Sequence, residues 1–76
     1  MNEVIEFIEK QLDYACRFRH DRCLVTTFKH NAYGACLFVV CQLIRNGKSE
    51  EADELDKLWD NKYRIHFEAL ERAAEH

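Results

Sequence analysis

AYGACLFVVCQLI, residues Ala32 to Ile44, contains one clearly polar side chain, Gln42. Wound at about 100° per residue, its apolar groups point in nearly every direction, and a helix that is apolar all round has to be covered all round. In a chain of 76 residues there is little else to cover it with.

Working back from this stretch, Leu24, Val25, Phe28, Ala32, Ala35, Cys36, Val39 and Leu43 form one stripe at helical spacing. That favours a helix over about residues 22–45 with Asp21 as N-cap, rather than a start at Asn31. The β-branched run Val25, Thr26, Thr27 weakens this start locally. At the other end, Asn46-Gly47 stops the helix, with Gly47 suited to the left-handed position just past a C-terminus.

A helix is expected on each side. Over about residues 3–19, Val4, Ile5, Phe7, Ile8, Leu12, Tyr14, Ala15, Cys16 and Phe18 fall on one side and Glu3, Glu6, Glu9, Lys10, Asp13 and Arg17 on the other. This apolar arc is about twice the usual stripe, so the helix should touch more than one neighbour. Over about residues 50–74, with Ser49 as cap, the core face reads Ala52, Leu55, Leu58, Trp59, Tyr63, Phe67, Leu70 and Ala74. Its outer face offers opposite-charge pairs four residues apart: Asp53–Lys57, Asp60–Arg64, Arg64–Glu68 and Glu68–Arg72. The chain has no proline and two glycines, too few turn residues for a sheet protein of this size. The fold expected is all-α, a single domain over 1–76: a short bundle of three antiparallel helices, the second and third forming an αα-hairpin.

Two flanking helices shield about two-thirds of a third, so part of Ala32–Ile44 stays open in a monomer. A symmetric homodimer covers it, and two-fold dimers are the commonest assembly. Gly34, Leu37, Phe38, Cys41, Phe67 and Leu70 are the expected interface. Gly34, costly inside a helix, marks a close crossing of helices.

Charge is segregated along the chain: residues 1–16 sum to −3, residues 17–48 to +5 and residues 49–76 to −5, giving −3 in all. The basic part, Arg17, Arg19, Arg22 and Lys29, is a candidate contact for an anion or an acidic partner. Nucleic acid is not the expected partner, because no aromatic platform is interleaved and no helix is rich in base-reading Arg, Asn or Gln. Cys16, His20 and Cys23 have ligand chemistry and could converge at a helix end. A second ligand pair is missing, so no metal and no other cofactor is expected.

His66 falls among Trp59, Tyr63 and Leu70 and is expected to be packed. Lys62, near the apolar arc, is expected to snorkel or to pair with an acid of a second subunit. No glycine-rich phosphate loop, nucleophile elbow or inward pair of carboxylates is present, so no enzyme is expected. An acidic N-terminus and the absence of an 18-residue apolar run point to a cytoplasmic chain with reduced cysteines, away from membranes. The function expected is a homodimeric protein–protein interaction module, an accessory or regulatory factor with an unidentified protein partner. The alternatives are a metal- or thiol-sensing protein built on Cys16, His20 and Cys23, and a nucleic-acid-associated factor using Arg17 to Lys29.

Overall fold

The computed structural model describes residues 2–74, all-helical with no strand among them. Helix α1 spans Asn2–Arg17, α2 Arg22–Arg45, α3 Ser49–Leu58 and α4 Arg64–Ala74. Between α3 and α4, Trp59–Tyr63 form a π turn with helical backbone on both sides, so α3 and α4 are one arm. The three arms pack together into a molecule of 44 × 18 × 15 Å.

Helix α2 starts where its stripe places it. The Asp21 carboxylate accepts from the Leu24 N–H at 3.2 Å, satisfying a donor that the first turn leaves unpaired. The β-branched run is accommodated because both threonine hydroxyls find acceptors, Thr27 on the Cys23 carbonyl at 2.9 Å and Thr26 on Glu71 at 2.7 Å. At the far end Gly47 has φ +75. The Lys48 N–H donates to the Leu43 carbonyl at 2.8 Å and the Gly47 N–H to that of Ile44 at 3.1 Å, the paired bonds of a Schellman stop.

The start of α3 differs from the expectation. Ser49 is the first helical residue, Lys48 is the cap, and no side chain caps the turn. The cause is the tight connection: the Lys48 N–H closes α2 while its carbonyl accepts from Ala52 at 3.1 Å, so one residue serves both ends.

The core takes Val4, Ile8 and Ala15 from α1, Val25, Ala32 and Cys36 from α2, and Leu55, Trp59, Tyr63 and Phe67 from the third arm. The last four lie four residues apart. Over that length a regular α-helix overshoots whole turns by about 120° and carries Phe67 off the core side. The π turn closes an i→i+5 bond from the Arg64 N–H to the Trp59 carbonyl and absorbs one extra residue, about 100° of rotation, which returns Phe67 to the core. Three of the four expected ion pairs form, Asp53–Lys57, Asp60–Arg64 and Arg64–Glu68; Glu68 turns to Arg64 rather than to Arg72.

Helix α1 buries less than its pattern suggests. Phe7 and Phe18 are 41% and 49% exposed and Cys16 is exposed, while Gln11 is buried. The Gln11 side-chain oxygen accepts from Asn31 Nδ2 at 3.4 Å, a polar link between α1 and α2. Phe18 is held over Phe28, ring centres 6.1 Å apart, and Tyr14 over the same ring at 5.6 Å. These rings close the α1–α2 corner.

Candidate functional site: the outward face of α2

Packing uses one side of α2. Val25, Ala32 and Cys36 point inward, and the side opposite is left to solvent although it is apolar. Leu37 is 46% exposed, Phe38 63% and Ile44 57%, with Gly34 and Cys41 exposed between them. Gly34, Leu37, Phe38, Cys41, Gln42 and Arg45 line a shallow groove of about 380 Å³. Four of the residues expected at an interface therefore share one surface. A Cβ added at Gly34 would meet nothing within 4 Å, so no helix of this chain crosses there.

The other two expected interface residues lie elsewhere. Phe67 is wholly buried in the chain's own core, where the π turn directs it, and offers nothing to a partner. Leu70 is half-buried and packs against that core. His66 is exposed rather than packed, beside Lys62 and Cys16 in a shallow recess. Lys62 places its ammonium 5.2 Å from the centre of the Tyr63 ring, a cation–π contact within the chain.

Cys16, His20 and Cys23 are all exposed. Among the described residues no group of three His, Cys, Asp or Glu side chains is close enough to hold a metal ion, so these three do not converge. The physical reason is the α1–α2 turn: Cys16 joins the recess with His66 and Tyr63, while Cys23 lies beside Arg22 and Thr26.

The basic segment is partly neutralised. Arg17 pairs with Asp13 at 3.0 Å. The Lys29 ammonium donates to Glu71 at 2.9 Å, with both side chains mostly covered. Arg22 adds its charge to the same carboxylate, and Arg19 is exposed. Burial raises the Glu71 pKa, but hydrogen bonds from Thr26 and Lys29 and the charges of Lys29 and Arg22 outweigh it, holding it below the ordinary 4.5. Glu71 was missed in the sequence because it sits one position off the apolar stripe, where a carboxylate reads as solvated.

A second recess, of about 360 Å³, lies between α2 and the π turn and is lined by Lys29, His30, Tyr33, Trp59, Asp60, Arg64 and Glu68. Its charges are largely matched within the chain: Arg64 with Asp60 and Glu68, Lys29 with Glu71. Tyr33 rests on Trp59 with ring centres 5.3 Å apart. Burial, with the charges of Asp56 and Asp60, pushes the Cys36 thiol up to about 11. Burial and a hydrogen bond to Glu9 at 3.1 Å push the Tyr63 phenol up to about 12. No helix of the described residues is long and apolar enough to cross a membrane. Comparison with protein-family models, curated proteins and solved structures finds no match to this chain.

Proposed function

We propose that this chain is a cytoplasmic, non-catalytic interaction module: an antiparallel three-helix unit that pairs with a second copy through the outward face of α2 and serves as an accessory or regulatory factor. The observation that carries this reading is the solvent-facing stripe of Gly34, Leu37, Phe38 and Cys41 on the middle helix, with Ile44 exposed one turn on beside the start of α3. Single exposed apolar residues are ordinary, but a contiguous run of them on a small protein is the mark of an interface.

Light scattering on the purified chain tests the reading. At about 100 µM the expected mass is twice 9.1 kDa, falling to the single-chain mass in Leu37→Glu with helix content unchanged, since Leu37 is already half exposed. A native chain that stays monomeric at that concentration overturns it.

A further inference from the structure

Cys23, Thr27, His30, Gly34, Leu37, Cys41 and Ile44 follow one another along α2 at alternating steps of four and three residues, and every one is exposed. A mean step of 3.5 is the period of a coiled-coil seam, in which two helices keep the same edge turned toward each other. The buried residues Val25, Ala32 and Cys36 occupy the opposite side, so α2 carries two seams, one for its own core and one unused.

From Thr27 onward the unused seam alternates small and large side chains. An antiparallel copy related by a two-fold axis between Ala35 and Cys36 seats Leu37 on the partner's Gly34, Ile44 on the partner's Thr27 and His30 beside the partner's Cys41. Gly34 costs its own helix stability and is not needed by its own chain's packing, where an added Cβ meets open space. A large side chain arriving from outside gives it a use.

Charge selects the direction. Helix α2 contains no acid and carries Arg22, Lys29 and Arg45. These cations meet one another in either direction, Arg22 beside Arg22 in a parallel copy and beside the partner's Lys48 and Arg45 in an antiparallel one. The acids of α3 therefore decide: a parallel copy sets Glu50 and Glu51 by the partner's Glu50 and Glu51. An antiparallel copy brings the α1–α2 corner, with Arg19 and Arg22, to the end where the partner's α3 opens with Glu50 and Glu51. A two-fold perpendicular to α2 also keeps the third arms of both copies on one side.

The exposed apolar side chains supply much of the area a dimer needs. With about 150–250 Å² for a full aromatic side chain, the exposed parts of Leu37, Phe38 and Ile44 sum to roughly 300 Å². A stable interface buries about 800 Å² per partner, just over half of it apolar.

We propose that a second copy of this chain docks antiparallel along the Cys23–Ile44 seam, with the acidic start of its α3 on the Arg19–Arg22 corner. This rests on the self-association proposed above and adds its orientation, register and the role of the basic corner.

Cross-linking separates the two. In a chain with Cys16→Ser and Cys23→Ser, Cys41 is the exposed thiol left, because Cys36 is buried. Antiparallel pairing puts Cys41 and the partner's Cys41 about 16 Å apart along the helix, beyond the roughly 7 Å between Cα atoms that a disulfide spans. Diamide should leave this chain uncross-linked, and adding His30→Cys should give a covalent dimer. Glu50→Lys with Glu51→Lys should weaken the dimer about tenfold in sedimentation, and Arg19→Glu on the same chain, at an exposed residue with no part in the Glu71 cluster, should restore part of it.

A dimer cross-linked through Cys41 alone, or through neither design, overturns the seam and leaves self-association standing. Charge reversal without effect overturns the role of the corner. A native chain that sediments as a monomer overturns both proposals.

Discussion

Glu71 shows how much one side chain can hold. It accepts from Thr26 and Lys29 across 45 and 42 residues of chain, tying the end of the third arm to the start of α2. Its carboxyl sits below the ordinary 4.5 when folded, so the stability it contributes is complete above that value and is lost as pH falls through the lowered folded value. Glu71→Gln keeps the shape and removes the charge. It should cost about 1–2 kcal/mol at neutral pH, as expected for hydrogen bonds to a mostly covered charged group. The variant and the native chain should converge in thermal stability as the pH is lowered past that window. Melting curves between neutral and acid pH check this, and a constant gap between the two proteins would refute it.

At the scale of the elements, helical periodicity carried most of the information. The α2 stripe, the Asp21 cap and the Gly47 stop could be read directly, because each is a local requirement of one helix. What could not be read depends on another helix: the Gln11–Asn31 link, the Glu71 cluster, and the burial of Phe67 rather than its place at an interface. The π turn left a trace, since Leu55, Trp59, Tyr63 and Phe67 lie four apart where a regular helix would mix threes and fours. A π turn is an α-helix holding one residue too many, so removing exposed Asn61 should return it to α geometry and keep Tyr63 and Phe67 facing the core. Removing exposed Ala69 should instead rotate Leu70 and Glu71 by about 100° and pull Glu71 from Thr26 and Lys29. The Asn61 deletion is expected to melt within a few degrees of the native chain, and the Ala69 deletion about 1–2 kcal/mol less stably. Equal losses in the two would mean that the π turn is not the place where the register is corrected.

For the whole molecule, the outer face of α2 carries opposing demands that Gly34 separates. Within one chain, glycine at this position is a cost: alanine fits without contact and freezes less backbone entropy on folding. In a chain kept monomeric by Leu37→Glu, Gly34→Ala should therefore raise stability by about 0.5–1 kcal/mol. Between two chains, the same position is where helices approach most closely in the proposed seam, and bulk there pushes them apart. Gly34→Leu in the native background should fold as well as the native chain yet weaken self-association at least about tenfold, the equivalent of about 1.4 kcal/mol. Denaturant unfolding of the monomeric pair and sedimentation of the native pair measure the two effects separately. A dimer that tolerates leucine at position 34 places its crossing elsewhere on the stripe, whereas a stabilised monomer together with a weakened dimer assigns the glycine to assembly.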